Sequence, residues 1–259
     1  MKQIKELESF GKEIKGDLLF DYDLKKKNWF NIGGKAQIYF KPETLNELVL
    51  FLKKFSGEYR IFTLGAGSNI LLTDDKIIGA VIKLGKNFSN ISLLSNEKII
   101  AGSACTDKQV SDFAMENNIG GLEFLSCIPG TIGGGLRMNS GCFGTEFKDI
   151  LLSVQALDKR GNMLTIPSNK INFGYRYSGL DRNLIFLSAS LKGKHKAKNK
   201  IKEEIIFLKD KKSKSQPTKI KTGGSTFKNP INQTKEKVWE LIKKSVPIDI
   251  KFGDAKISE

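Results

Sequence analysis

The residues best suited to binding chemistry form a short loop, Leu64-Gly65-Ala66-Gly67-Ser68-Asn69-Ile70-Leu71. Glycines at positions 65 and 67 allow the backbone to turn tightly and to approach a ligand closely. Consecutive exposed N–H groups in such a turn can form a nest that binds an anion such as a pyrophosphate. The loop is neither a Walker A motif nor a GxGxxG motif, so its spacing alone leaves a plain tight turn as the alternative.

A second segment, residues 127–144, is unusually rich in glycine and holds six glycines among 18 residues. Each ordered glycine loses roughly 0.5–1 kcal/mol of backbone entropy relative to alanine, so folding alone does not account for this density. Such a sequence is tolerated where the backbone must lie flat against a large group. Two glycine loops on different strand–helix connections therefore favour a dinucleotide over a mononucleotide.

The other reactive side chains exclude several kinds of site. The single histidine, His195, is set among lysines, where we expect it to be exposed, and Cys105, Cys127 and Cys142 form no CxxC pair. This pattern predicts no metal site, no disulfide framework and no Ser-His-Asp triad. The chemistry must therefore come from a cofactor, from carboxylates, or from Ser, Tyr, Arg and Lys side chains.

The net charge of +15 is weaker evidence for nucleic-acid binding than its size suggests. Nucleic-acid-binding proteins use arginine for forked contacts, whereas only five of the 43 basic residues here are arginine. In the lysine-rich run, Ile201, Ile205 and Leu208 recur at helical spacing, which predicts a helix with lysines on its solvated face. A basic nucleic-acid-binding protein is the alternative from a different class, but no binding motif supports it, and we predict no nucleic-acid partner.

No segment predicts a membrane partner or export. The apolar stretches are far shorter than the roughly 20 residues of a membrane-spanning helix. Residues 1–15 are charged throughout and lack the apolar centre of a secretory signal. We therefore expect a cytoplasmic protein.

Alternating strand and helix signals must position the two loops, and their mixture predicts the α+β class. Thr44-Leu-Asn-Glu47 and Thr106-Asp-Lys-Gln109 are capping boxes that predict the starts of two helices, and residues 158–162 predict a hairpin turn. The predicted strands are Ala36–Phe40, Tyr59–Leu64, Ile78–Ile82, Lys98–Ala101, Ile150–Leu157, Met163–Ile166 and Leu184–Ser190. The predicted buried helix faces carry Leu45, Leu48, Leu52 and Phe55 in one helix, and Val238, Leu241, Ile242 and Val246 in another.

Five motifs, in order along nearly the whole chain, resemble the UDP-N-acetylenolpyruvoylglucosamine reductase family. Besides the two glycine loops, they are Trp29-Phe30-Asn31-Ile32-Gly33-Gly34-Lys35-Ala36, then Tyr175-Arg176-Tyr177-Ser178, and finally Gln216-Pro217 followed by Gly224–Pro230. The Tyr-Arg-x-Ser spacing without a long insertion resembles the family's shorter type. Asn28 stands where the family commonly has threonine.

The resemblance implies both a fold and a reaction. The fold is a two-lobed FAD-binding unit of the vanillyl-alcohol-oxidase (PCMH) type, with lobes at residues 1–80 and 81–195, followed by an α+β substrate-binding lobe at 196–259. The reaction is the reduction of UDP-N-acetylglucosamine enolpyruvate to UDP-N-acetylmuramate in peptidoglycan synthesis. FAD and NADPH are the implied cofactors, a UDP-sugar is the implied substrate, and we expect a monomer.

The resemblance also assigns binding residues. The substrate is expected at Tyr175, Lys228 and Asn229. The FAD contacts are expected at Gly65, Ala66, Gly67, Ser68, Asn69, Ile128, Pro129, Gly130, Thr131, Gly133, Gly134, Asn139, Gly141 and Gly144, with the pyrophosphate on the first loop.

Arg176 and Ser225 are the catalytic residues that the resemblance implies. Hydride transfer to the enolpyruvyl CH₂ carbon leaves an enolate-like charge, which a fixed guanidinium can stabilise by forking onto the carboxylate. The adjacent carbon then needs a proton, which a serine hydroxyl would donate. The residue types alone leave two alternatives open: an arginine stacked on neighbouring tyrosine rings, and a serine that caps a turn.

The segment Gly253–Glu259 corresponds to a family region that normally continues to a short strand bearing a glutamate that assists protonation. The printed sequence ends before that position, so we expect this glutamate to be missing and the substrate lobe to be incomplete, and Glu259 is not assigned its role. Two interpretations therefore stand: a reductase, or a FAD-binding relative or degenerate copy without turnover.

Overall fold

The computed structural model describes residues 2–55, 57, 59–215, 222–224, 226–247 and 249–256, with side chains described from residue 5 onward. The chain divides into two compact units, Met1–Gly223 and Gly224–Glu259. The three lobes expected from the sequence stay a prediction.

In the part of the chain that the structure describes, helices alternate with strands along the first unit, and one helix lies in the second. Among the described residues the α-helices are α1 (Lys2–Glu13), α2 (Leu45–Phe55), α3 (Asp107–Glu116), α4 (Ile132–Arg137), α5 (Phe147–Ile150), α6 (Lys198–Ser215) and α7 (Val238–Ser245). Short 3-10 helices cover Lys25–Lys27, Lys86–Phe88, Glu123–Cys127 and Ser168–Lys170.

The strands are of two kinds, longer strands that build two sheets and two-residue strands that form hairpins and bridges. In chain order they are β1 (Asp17–Asp23), β2 (Lys35–Lys41), β3 (Ile61–Thr63), β4 (Ile77–Ile82), β5 (Ile91–Ser95), β6 (Lys98–Gly102), β7 (Ile119–Gly120), β8 (Gly141–Cys142), β9 (Thr145–Glu146), β10 (Leu151–Leu157), β11 (Met163–Pro167), β12 (Ile185–Lys192), β13 (Lys194–His195), β14 (Lys251–Phe252) and β15 (Ala255–Lys256).

The first sheet has the order β1-β2-β4-β3 and carries the first glycine loop. Both β2 and β3 run parallel to β4, with Ile38 and Ile61 each opposite Ala80, whereas β1 pairs antiparallel with β2. Because β3 and β4 are parallel, their carboxyl ends meet at the same edge of the sheet. Residues 64–71 and Lys83 therefore lie together at that edge.

The second sheet is antiparallel, with the order β11-β10-β12-β6-β5, and it supports the second glycine segment. The hairpin predicted from residues 158–162 is confirmed, since Ser153 lies opposite Pro167 and Leu157 opposite Met163. β6 leads into the Thr106 capping box, where Gln109 N donates to Thr106 Oγ1 (3.2 Å) and Thr106 N donates to Gln109 Oε1 (2.8 Å). The predicted start of α3 is confirmed.

Apolar packing covers both sheets. On the first, Phe40 and Phe51 stack with ring centroids 4.5 Å apart, and Phe10 of α1 meets Phe55 edge-on at 5.7 Å. On the second, the buried core includes Ile99, Val110, Phe147, Val154 and Leu191. Burial of large side chains of this kind contributes about 1.5–3 kcal/mol each.

The predicted helix faces are confirmed only in part. Ile201, Ile205 and Leu208 are buried in α6, and His195 is exposed, as predicted. Leu45 is 38% exposed because it is the first residue of α2 and the residues after it pack on the core.

One further expectation is wrong. No residue of α7 is buried, and Ile242 is 37% exposed, because the described part of the second unit offers only α7 and the β14–β15 hairpin as packing partners. Within the second glycine segment, Ile132–Arg137 form α4.

Candidate active site

The first glycine loop leaves its backbone N–H groups open. Leu64 N donates to Ile82 O (2.9 Å) and anchors the base of the loop, and Gly67 turns it in the left-handed region with φ of 70°. Within the described ranges of the chain, no acceptor pairs with the N–H groups of residues 65–69. Successive open N–H groups around a left-handed glycine form an anion-binding nest. The geometry of this loop therefore suits a phosphate group.

Residues 27–29 lie against this loop on one side. A Cβ built on Gly67 would lie 2.3 Å from Lys27 O, and Trp29 N donates to Gly67 O (3.0 Å). Asn28 Nδ2 donates to three carbonyls, of which Ile32 O is nearest at 2.7 Å, while Asn28 Oδ1 is buried and has no hydrogen-bond partner among the described residues. Asn28 thus presents an unused acceptor beside the loop.

The two glycine loops meet at Gly65 and Thr131. A Cβ built on Gly65 would lie 2.8 Å from Thr131 Oγ1. Thr131 caps α4, where its Oγ1 also accepts from Gly134 N (3.4 Å). Any side chain at position 65 would press on this cap, so glycine is required for the loops to lie this close.

Backbone bonds hold the second loop against the start of α3 and the end of β6. Asp107 N donates to Gly130 O (3.2 Å), Ile132 N to Cys105 O (2.9 Å) and Gly133 N to Ser103 O (2.9 Å). A Cβ on Gly135 would lie 2.4 Å from Phe147 Cε2. The glycines of this segment thus permit close backbone packing as well as any contact with a ligand.

The side chain of Asp107 is fully buried beneath this loop. A Cβ on Gly130 would lie 2.7 Å from Asp107 Oδ2, and both carboxyl oxygens lack a hydrogen-bond partner in the described chain, as does Ser111 Oγ one turn later. Burial raises the pKa of Asp107 to about 8. This carboxyl is therefore largely protonated at neutral pH.

The end of the second glycine segment is built around Asn139. Its Nδ2 donates to Glu146 Oε2 (3.0 Å) and Gly174 O (3.0 Å), and its Oδ1 accepts from Lys148 N (3.0 Å). Gly144, with φ of 92°, turns the β8–β9 hairpin. The side-chain amide of Asn139 thus stabilises the local fold through these hydrogen bonds. A contact of this residue with FAD stays a prediction.

Arg176 lies beside this hairpin and is held from several directions. Its Nη2 donates to Gly141 O (3.2 Å), its Nη1 lies 3.9 Å from Glu146 Oε1, and its guanidinium is 5.0 Å from the centre of the Tyr175 ring. Arg176 also adopts φ of 55°, a conformation that non-glycine residues rarely take. The stacking of Arg176 on a tyrosine ring, considered from the sequence, is present. Arg176 also forms an ion pair with Glu146, which a purely stacked arginine would not need.

The remaining predicted residues belong to the second unit. Lys228 and Asn229 are both exposed, and Asn229 Oδ1 accepts from Val238 N (3.0 Å) at the start of α7. Ser225 lies outside the described residues. Its predicted role as proton donor stays a prediction.

Sequence reasoning missed two residues that the geometry brings to these loops. Lys83 Nζ donates to Gly65 O, and Glu146 contacts Arg176, Asn139 and Lys148. Lys83 could not be distinguished among so many lysines. Glu146 could have been found as the first acidic residue after the second glycine segment.

The described ranges contain neither a candidate metal site nor a candidate membrane-spanning helix. No group of three His, Cys, Asp or Glu side chains there could hold a metal ion. No helix of the same ranges is long and apolar enough to span a membrane.

Comparisons with known proteins agree with this geometry. The family model described as a FAD binding domain matches residues 36–167, which include both glycine loops. UDP-N-acetylenolpyruvoylglucosamine reductase of Pelagibacter ubique (strain HTCC1062) is 63% identical over 255 residues, covering 98% of this chain and 84% of that protein. The enzyme of the same name from Rickettsia conorii is 44% identical over 246 residues, covering 95% of this chain and 82% of that protein.

A solved structure supports the same assignment. The crystal structure of UDP-N-acetylenolpyruvylglucosamine reductase from Thermus caldophilus matches with a TM-score of 0.79 at 29% identity, covering 95% of this chain and 85% of that one. The predicted α+β fold with a FAD-binding unit is confirmed.

Proposed function

Because this chain belongs to the UDP-N-acetylenolpyruvoylglucosamine reductase family, we propose that it catalyses the NADPH-dependent, FAD-mediated reduction of UDP-N-acetylglucosamine enolpyruvate to UDP-N-acetylmuramate. As part of the same proposal, the enzyme acts as a monomer in the cytoplasm, where it supplies peptidoglycan synthesis. The net charge of +15 favours the approach of its anionic nucleotide ligands.

The residues present fit FAD. The open N–H groups of residues 65–69 suit its pyrophosphate, and the contact of Gly65 with Thr131 brings the second loop to the same ligand. This contact between the two glycine loops is the observation that carries the proposal. In it, the FAD-binding residues are those assigned from the sequence in the loops 65–69 and 128–134 and in the stretch 139–144. When bound there, FAD would supply the hydride chemistry of the reaction, with NADPH as the reductant.

In this proposal Arg176 binds the carboxylate of the enolpyruvyl group. Its side chain is partly exposed, and Glu146, Gly141 O and the Tyr175 ring fix its direction before substrate arrives. A guanidinium held in place stabilises negative charge as it develops, without the cost of reorganisation. Arg176 therefore contributes more in the transition state than in the ground state.

Proton donation is proposed for Ser225, and substrate contacts for Tyr175, Lys228 and Asn229. Serine is a weak acid, so its hydroxyl can protonate the substrate only while the neighbouring carbon is strongly basic. These roles rest on the motif positions, and Tyr175 also has a structural reason, because its ring lies against Arg176.

An assay with purified protein, FAD, NADPH and the enolpyruvyl substrate tests the proposed function. We expect NADPH consumption that requires both FAD and substrate, and mass spectrometry should show a product heavier than the substrate by one molecule of hydrogen. FAD binding without this product would favour a FAD-binding relative that has lost turnover. A protein that binds no FAD would contradict both the proposed reductase and the FAD-binding relative without turnover.

A further inference from the structure

The side chain of Lys83 contacts the first glycine loop at the carbonyl oxygen of Gly65, and not at one of the loop's N–H groups. The residue directly follows β4 and is partly buried at the edge where β3 and β4 end. Its backbone is fixed, because Lys83 N donates to Phe40 O (2.9 Å). Its ammonium group donates a hydrogen bond to Gly65 O.

This bond determines which way the next N–H group points. In a planar trans peptide, the carbonyl and the following N–H point in opposite directions. The Gly65 carbonyl points at Lys83, so the N–H of Ala66 points away from it, where no described acceptor pairs with it.

The peptide two positions further along, between Gly67 and Ser68, is held in a similar way. Gly67 O accepts from Trp29 N (3.0 Å), so the N–H of Ser68 points away from Trp29. Two alternate carbonyls of the loop are thus held by the protein. The N–H groups that follow them, on Ala66 and Ser68, are left open for an anion.

Among the described residues, no carboxylate pairs with the ammonium group of Lys83. Burial lowers the pKa of Lys83, and the charges of Lys27 and Lys41 lower it further. Because burial and the two neighbouring cations disfavour the charged form, an anion nearby would stabilise the ammonium group. A diphosphate on the nest would supply that negative charge.

We propose that Lys83 is a positioning residue for the FAD pyrophosphate, because its ammonium holds the Gly65 carbonyl so that the Ala66 N–H faces the phosphate. The inference rests on the proposed function, since it takes FAD as the ligand of the loop. It adds a residue that the motif assignments do not contain.

Replacing Lys83 by methionine and by arginine tests this inference. Lys83→Met removes the donor at similar length and should weaken FAD binding by about tenfold or more, measured by quenching of flavin fluorescence. Lys83→Arg keeps a donor and a charge and should restore binding to within about threefold of wild type. Lys41→Met is the matched control, because Lys41 also acts on Lys83 through its charge but pairs with Asp17 on the surface.

Two further measurements separate positioning from other effects. Riboflavin, which has no phosphate, should bind wild type and Lys83→Met equally. The ratio of FAD affinities between wild type and Lys83→Met should persist at high salt, whereas long-range charge attraction would be screened.

The outcomes also separate this inference from the proposed function. If wild type binds FAD and Lys83→Met binds it equally well, or the difference disappears at high salt, the inference is wrong and the proposed function stands. If wild type binds no FAD, both are wrong.

Discussion

Gly65 lies so close to Thr131 that a Cβ on Gly65 would be 2.8 Å from Thr131 Oγ1. The two residues belong to loops that are connected to different sheets. Their contact joins the two glycine loops into one surface. This surface runs from the first sheet's edge to the start of α4, so one extended ligand such as a dinucleotide can lie on both loops.

Gly65→Ala tests this contact. The added methyl overpacks the junction at a cost of about 1 to 3 kcal/mol, so we expect the Kd for FAD to rise about tenfold. Gly57→Ala is the control, because no atom of the described residues lies within 4 Å of a Cβ at Gly57. Unchanged FAD affinity in Gly65→Ala would show that the junction does not shape the binding surface.

Arg176→Lys tests the arginine that Glu146 and Gly141 hold. Lysine keeps the charge but loses the planar fork, so kcat should fall by more than about tenfold while FAD affinity stays unchanged. Arg160→Lys, in the exposed turn of the β10–β11 hairpin, should behave as wild type. Wild-type kcat in Arg176→Lys would remove this guanidinium from the mechanism.

The buried carboxyl of Asp107 predicts a pH dependence of stability. Burial raises its pKa from the ordinary value of 3.8 to about 8, so between these values the folded protein binds a proton that the unfolded chain has released. The free energy of unfolding should therefore fall as the pH rises through this window.

Asp107→Asn should remove much of the decrease in the free energy of unfolding that occurs as the pH rises. At about pH 8 the variant should be more stable than wild type by roughly 2 to 4 kcal/mol, measured by urea unfolding. Asp112→Asn, on the same helix but paired with Lys108 at 2.5 Å on the surface, should keep the wild-type pH dependence. A pH profile of Asp107→Asn identical to that of wild type would contradict the burial of a protonated acid.

Arg137 fixes α4 to the segment before β12. It donates to Leu180 O (3.2 Å), Asp181 O (2.8 Å) and Leu184 O (2.7 Å), and it lies 4.2 Å from the centre of the Phe186 ring.

Arg137→Met leaves these carbonyls without their donor and should lower the free energy of unfolding by about 2 to 4 kcal/mol. Arg137→Lys should lower the free energy of unfolding by less, because the lysine ammonium can still donate a hydrogen bond to one of the carbonyls. A loss below about 0.5 kcal/mol in Arg137→Met would show that the three bonds contribute little.

Features encoded by neighbouring residues could be predicted from the sequence. The capping box at Thr106, the β10–β11 hairpin and the buried face of α6 depend on residues a few positions apart, and all are confirmed. The glycine loops were identified because glycine density is itself a local signal.

Features that depend on distant contacts could not be predicted. Lys83 reaches Gly65 only because β3 and β4 run parallel and end together, and no local pattern distinguishes this lysine. Glu146 becomes a partner of Arg176 through the folding of the β8–β9 hairpin. The helix α4 forms within a glycine-rich sequence because Thr131 caps it and close packing on Phe147 requires a residue without a side chain at Gly135.

The central claim is that this chain transfers hydride from NADPH to the enolpyruvyl sugar through FAD, and an anaerobic titration tests it most directly. Purified protein loaded with FAD should lose its visible flavin absorbance when NADPH is added. UDP-N-acetylglucosamine enolpyruvate should then restore that absorbance in step with the formation of UDP-N-acetylmuramate. Flavin that NADPH reduces but that this substrate fails to reoxidise would contradict the claim.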